Sequence, residues 1–166
     1  MTKVIKIISG GQCGSDSGGL AAAYDLGIET GGTAPKNFRT KYGSNPKLKA
    51  LGLVEHKSWE YKPRTWDNVQ NSDGTIRFAY DFESPGERDT LAAIMKYTKP
   101  HLDIDLKELE MGHYLPFDFT EFIDEYQISV LNVAGNGGKG REESSKIFSL
   151  VRRYMKIWLG FCNKDG

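Results

Sequence analysis

The apolar run Val4–Ser9 breaks off at Gly10-Gly11, and that break constrains the fold more than any other feature of the chain. A short, β-branched, nearly continuous apolar segment reads as a strand buried on both faces, the habit of a parallel sheet. Residues 16–26 then read as a helix, with Ser15 or Asp16 as N-cap and Gly27 as stop. The same succession of strand, glycine-bearing loop and helix recurs. Thr75–Ala79 runs into Ser84-Pro85-Gly86 and a helix over Arg88–Tyr97. Ile128–Ala134 runs into Gly135-Asn136-Gly137-Gly138 and a helix from about Glu142 to Phe161. Between them lie a short strand at Ile28–Thr30, a loop over Gly31–Tyr42, a short helix at Pro46–Gly52 and an ambiguous stretch at Val54–Tyr61. A helix over Pro63–Gln70, a strand at His101–Ile104 and a helix over Phe119–Tyr126 complete the pattern. Strands alternating with helices throughout predict an α/β fold: a Rossmann-like three-layer domain over residues 1–166, with an open, mostly parallel sheet.

Composition narrows the function classes. Lys plus Arg and Asp plus Glu both number 22, so the chain lacks the basic excess of a general nucleic-acid binder. The start, MTKVIKIISGG, lacks the apolar core of a signal peptide, and no apolar run approaches the ~20 residues of a membrane span. These features predict a cytoplasmic protein with neither nucleic-acid nor membrane partners. Cys13 and Cys162 have no metal-ligand spacing and read as free thiols. His56, His101 and His113 fall in no metal or triad arrangement, so no metal site is expected.

In an open parallel sheet, ligands bind beyond the carboxyl ends of the strands, where free amides and helix N-termini favour anions. The first loop contributes Gly10, Gly11, Gln12, Cys13, Gly14 and Asp16 as candidate ligand-binding residues. The second contributes Ser84, Pro85, Gly86, Arg88 and Thr90, and the third Gly135 and Asn136. Lys36 and Arg39 are candidates for ligand phosphates. Asp73 and Thr75 are candidates from the NSDGT stretch, with a turn as the competing role for Asp73-Gly74. None of the loops is a Walker A sequence or a full GxGxxG, and tight turns without a ligand remain the alternative. On the binding reading, Gly11→Val is expected to abolish ligand binding with the fold intact, because a side chain would fill the approach to the backbone.

The string IISGGQCGSDSGGLAAAYDLGI resembles the opening of the molybdenum-cofactor carrier family, related to the YpsA proteins in the SLOG group of Rossmann-like domains. GGTAPKNFRT, RTWDNVQNSDGT, SPGERDT and LNVAGN follow in the family's order, from about residue 4 to residue 136. The resemblance implies a nucleotide-type pocket and leaves the cofactor open between a nucleotide-derived ligand and molybdenum cofactor. Some SLOG relatives hydrolyse nucleotide N-glycosidic bonds, and others sense cyclic ADP-ribose derivatives. The chain departs from the family at Cys13, where Thr is usual, at Ser17, where Arg is usual, and in the lengthened AGNGGKGREES loop with Lys139. The phosphoribohydrolase motif PGGxGTxxE is absent, and Glu87 and Asp89 make a hydroxyl-rich ribose a competing partner for phosphate at the second loop.

The expected function is therefore binding: carrying, sensing or sequestering a nucleotide-derived small molecule. The alternative is a hydrolase of a nucleotide N-glycosidic or phosphate bond, with Asp16, Glu87 or Asp89 as base and Arg88 on phosphate. Ile147, Leu150, Val151, Tyr154, Ile157, Trp158 and Phe161 form one stripe of the last helix, a core face whose aromatic end also suits a homo-oligomer contact.

Overall fold

The computed structural model describes residues 1–164. Six strands form one sheet in the order β5-β2-β1-β8-β6-β7. They are β1 (Lys6–Ile8), β2 (Glu29–Ala34), β5 (Leu53–Glu55), β6 (Gly74–Ala79), β7 (His101–Asp105) and β8 (Val130–Gly135). Every pairing in this sheet is parallel. All of β6 is buried, as a strand covered on both faces must be.

The helices are α1 (Ser15–Asp25), α2 (Lys47–Ala50), α3 (Tyr61–Gln70), α4 (Pro85–Tyr97), α5 (Leu106–Glu110), α6 (Pro116–Glu125) and α7 (Arg141–Cys162). α1 and α6 pack along α7, and α3 packs along α4. The first group shares a core centred on Trp158, whose indole stacks on Phe78 at 6.1 Å and Phe119 at 5.6 Å. The second group closes over Val69, Ala93 and Ile94. The chain leaves β1 for β2 in one direction and β6 for β7 in the other, with β8 between β1 and β6. Right-handed crossovers then place α1 and α4 on opposite faces, which makes the ends of these three strands a topological switch point.

Two departures from the sequence reading matter for the site. The second strand does not stop at Thr30; it continues through Gly31-Gly32 to Ala34, because Gly32 adopts φ 122° and lies against the Ser9 backbone, where a Cβ would meet Ser9 O at 2.1 Å. The expected Gly31–Tyr42 loop is then replaced by a 3-10 turn at Lys36–Phe38 and a small antiparallel hairpin, β3 (Arg39–Thr40) with β4 (Gly43–Ser44). The stripe on α7 divides: Ile147, Val151 and Trp158 are buried, Leu150 and Tyr154 pack at the edge, and Ile157 and Phe161 are exposed. Among the described residues, no helix is long and apolar enough to cross a membrane.

Candidate functional site

Three loops leave the carboxyl ends of the adjacent strands β1, β8 and β6, and open the helices α1, α7 and α4. Between them and α3 lies a cavity of about 660 Å³, within the range of small-molecule sites.

Its floor is charged. Asp16, on the first turn of α1, is only 4% exposed; its Oδ2 accepts from the Gln12 amide at 3.1 Å and lies 3.5 Å from Arg64 Nη1. Burial pushes the Asp16 carboxyl up to about 6, against the pull of Arg64 and of the Gln12 and Gly10 amides. Arg64 comes from α3, its guanidinium 5.4 Å from the Tyr61 ring centre, and its buried Nε has no partner among the described residues. Glu87, on the first turn of α4, is also 4% exposed. Its Oε2 accepts from Asn136 Nδ2 at 3.1 Å, and its Oε1 is buried without a partner among the described residues. Burial pushes this carboxyl up to about 7, with Asn136, Arg77 and Arg64 pulling it down and Asp16 adding to the rise. Arg77 of β6 holds the same turn in place: its Nη1 donates to the Glu87 carbonyl at 3.0 Å, while Nε and Nη2 clasp Asp103 at 2.8 and 2.6 Å.

The rim comes from the hairpin and the third loop. Lys41 Nζ donates to the Gly138 carbonyl at 3.1 Å, and the Arg141 guanidinium sits 4.2 Å from the Tyr42 ring centre. Gln12 Nε2 donates to the Arg39 carbonyl at 3.0 Å, tying the hairpin to the first loop. Lys41 and Lys139 are the exposed cations at the cavity edge.

Residues 7–157 match the model of the circularly permutated YpsA SLOG family. The chain belongs to that family. It is also similar to the crystal structure of the "Putative molybdenum carrier protein" from Syntrophus aciditrophicus SB, with 31% identity and a TM-score of 0.80 over 95% of this chain and 96% of that one. No curated protein matches it.

Within this YpsA-type domain the structure sorts the residues expected from sequence. Gly10, Gln12, Cys13, Asp16, Ser84, Gly86, Thr90, Gly135 and Asn136 all line the cavity. Asn136 does so with its amide occupied: Oδ1 accepts from the Tyr80 and Asp81 amides at 2.8 and 3.2 Å, and Nδ2 serves Glu87. Pro85 starts α4 and Arg88 points to solvent beside Glu83, 3.6 Å away. Lys36 and Arg39 turn outward; Lys36 lies over Trp59, and Arg39 donates to the Trp59 carbonyl at 2.8 Å and covers Tyr61.

Asp73 and Thr75 do not line the cavity. Asp73 precedes β6 at its amino end, and Thr75 lies one residue into the strand, behind the cavity-lining Asn132. Asp73 Oδ2 accepts from the Ser129 and Val130 amides at 3.0 and 2.8 Å, and Thr75 Oγ1 accepts from Asn132 inside the sheet.

The glycines also need correction. Gly11 faces Leu48 and Leu53, which a Cβ would meet at 2.5 and 3.0 Å, so Gly11→Val strikes the packing under β5 rather than a ligand. Gly14 makes room for the Asn136-Gly137 backbone, and Gly14 itself, not Ser15 or Asp16, is the N-cap of α1. Gly10 makes room for the Arg64 guanidinium, 1.9 Å from its ideal Cβ. The expected cradle of bare amides is thus largely filled by loop packing, and the chemistry of the cavity comes from buried side chains.

Arg64 is the main residue that sequence reading missed. Tyr61, Arg64, Thr65 and Asn68 all line the cavity and follow i, i+3, i+4, i+7 spacing on α3. That polar stripe was the available signal.

Asp16 and Glu87 predict a pH dependence. Their folded values of about 6 and about 7 exceed the ordinary 3.8 and 4.5, so between those limits the folded protein holds protons that the unfolded chain has released. Their contribution to stability is complete below about pH 4 and is lost as pH rises through 7. Asp103 lies outside this window: burial pushes it up, but His101 and Arg77 outweigh that and hold it at about 2. The melting temperature of the unliganded protein should fall between pH 5 and pH 8. Asp16→Asn combined with Glu87→Gln should flatten that fall, and an unchanged slope in the double variant would remove these groups as its source.

Proposed function

We propose that the protein binds a nucleotide-derived small molecule, to carry, sense or sequester it, in the cavity at the ends of β1, β8 and β6. One observation carries the reading: the buried carboxyls of Asp16 and Glu87 and the guanidinium of Arg64 gather in the lining of a single cavity where the three central strands end. Buried charged groups brought together at strand ends are a common setting for recognition of a small polar ligand. Family membership and the name of the similar structure agree with small-molecule binding.

Molybdenum cofactor fits this set of residues poorly. Its phosphate could sit at the rim as a nucleotide's could, but its metal-oxo centre is also anionic, whereas Asp16, Asp81, Glu87, Asp89 and Glu143 line the cavity against Lys41, Arg64 and Lys139. Cys13 supplies a lone sulphur there. A nucleotide asks less: its phosphate can stay at the rim near Lys41 and Lys139, and its uncharged parts can go to the floor.

A second reading, hydrolysis of an N-glycosidic bond, draws support from two carboxyls with values of about 6 and about 7 in one cavity, a poise that suits acid–base work near neutrality. Incubation with ribonucleotides and ADP-ribose, followed by mass spectrometry of the bound and free fractions, separates the two. The binding reading predicts recovery of intact ligand from the denatured protein. Release of free base with ribose phosphate would favour the hydrolase, and the absence of any bound compound would overturn the binding reading.

A further inference from the structure

Charge is segregated between two helices that lie side by side, α6 and α7. Between Lys107 and Lys139 the chain has no Lys or Arg, and between Glu143 and Lys164 it has no Asp or Glu. α6 turns Phe119, Phe122 and Ile123 to the core and leaves Phe117, Asp118, Glu121 and Glu125 exposed. α7 turns Val151, Met155 and Trp158 to the core and leaves Arg153, Lys156, Ile157 and Phe161 exposed. Each outward set keeps the i, i+3, i+4 spacing of one helix face. The two helices share one core and meet through Phe119 and Trp158 at 5.6 Å, so their outward faces form one surface. It is acidic along α6, basic along α7, and apolar at Phe117, Ile157 and Phe161. Asp25 of α1 holds Arg152 at 2.7 Å and Lys156 at 3.4 Å. Among the described residues, Asp118, Glu121, Glu125 and Arg153 take part in no ion pair.

We infer that this surface docks a second copy of the chain about a two-fold axis that runs between α6 and α7. A wholly acidic partner would set like charge against α6, and a wholly basic one would do so against α7. The chain itself carries both stripes next to each other. A two-fold rotation about a line between them lays the acidic helix of each copy on the basic helix of the other, and the contact closes at the dimer. Phe117, Ile157 and Phe161 are its apolar anchors. α7 has 22 residues, a length of about 33 Å, and two helices side by side span about 20 Å. α6 has only 10 residues, so the face is roughly 500 Å² a subunit and about 1,000 Å² in all, the lower end of specific interfaces. A dimer of that size, held largely by exposed charges, is weak and sensitive to salt. None of these residues lines the ligand cavity, so the contact leaves both cavities open and is independent of what they bind.

Sedimentation velocity of the full chain, at low and high salt and up to about 200 µM, above the micromolar range expected of a small interface, is the test. The expected result at low salt is a reversible shift with concentration from 18.6 kDa to twice that mass. Raising NaCl from about 50 to about 500 mM should weaken the dimer roughly tenfold or more. Arg153→Glu with Lys156→Glu should sediment as a monomer, and so should Asp118→Lys with Glu121→Lys, because each sets like charges against each other in both halves of the contact. An equimolar mixture of the two variants should regain the dimer, one subunit of each kind, because opposite charges then face again. All four positions are exposed, and a thermal melt checks that each variant folds. The salt series on the wild-type chain stands even where a variant does not. A wild-type chain that stays monomeric at about 200 µM and low salt would overturn the inference. So would a dimer that neither charge reversal disturbs, a mixture of the variants that stays monomeric, or assembly beyond the dimer.

Discussion

Gly10→Ala is expected to weaken ligand binding by about two orders of magnitude while the protein stays folded. The new Cβ would stand 1.9 Å from Arg64 Nη1 and 2.7 Å from its Cζ, so the guanidinium must leave. Gly10 is absent from the positive-φ positions, so the methyl adds no backbone strain, and the displaced group is the far end of a long side chain. The cost to the fold is small: Asp16 loses the cation 3.5 Å away and answers by taking up a proton, toward which burial already pushes it. Binding suffers more. Arg64, which lines the cavity, moves, and the evicted guanidinium enters the space the ligand needs. Losing a charged hydrogen bond and gaining a steric conflict together give about 3 kcal/mol, or roughly 100-fold. Titration with a ribonucleotide that the wild-type chain binds, beside a thermal melt, reads both quantities. Wild-type affinity in Gly10→Ala would separate Arg64 from the ligand.

Gly135→Ala should do the reverse and cost the fold. Gly135 ends β8 at φ 139°, a conformation side chains rarely take, and its Cβ would meet Phe78 O at 2.0 Å and Phe78 N at 2.7 Å. Those atoms belong to β6, the neighbouring strand, and cannot swing aside as Arg64 can. Strain and overpacking together are expected to destabilise by about 3 kcal/mol or more, a fall in melting temperature of roughly 6–12 °C for a chain of this size. A melt within about 2 °C of wild type would show that the strand ends can part without loss, and with them the walls of the cavity. The two glycines sit in equivalent strand-end loops, yet one spares a side chain's place and the other a backbone's.

That distinction marks how far the sequence could be read. Apolar runs that break at glycine placed β1 and β8 and the loops after them, because a strand buried on both faces leaves a continuous hydrophobic stretch, and β6 followed from the segment Thr75–Ala79 ahead of Ser84-Pro85-Gly86. What each glycine makes room for was beyond reach, since it depends on partners far along the chain: Arg64 for Gly10, Leu48 and Leu53 for Gly11, Phe78 for Gly135. Asp73 looked like a site residue because it sits in a polar, glycine-containing stretch; only the parallel register puts it at the wrong end of β6. The hairpin at Arg39–Ser44 was hidden among glycine and proline, where local pattern says loop. Burial of Glu87 was equally invisible. Its neighbours Glu83, Arg88 and Asp89 make the segment look uniformly solvated, and the helical turn alone decides which carboxyl faces inward.

The most direct measurement is the structure of the protein with a bound ribonucleotide. The account predicts that the ligand lies between the ends of β1, β8 and β6, against Asp16, Arg64 and Glu87, with the phosphate at the Lys41–Lys139 rim. A ligand seated elsewhere on the chain, or one that places phosphate on the floor beside Glu87, would contradict it.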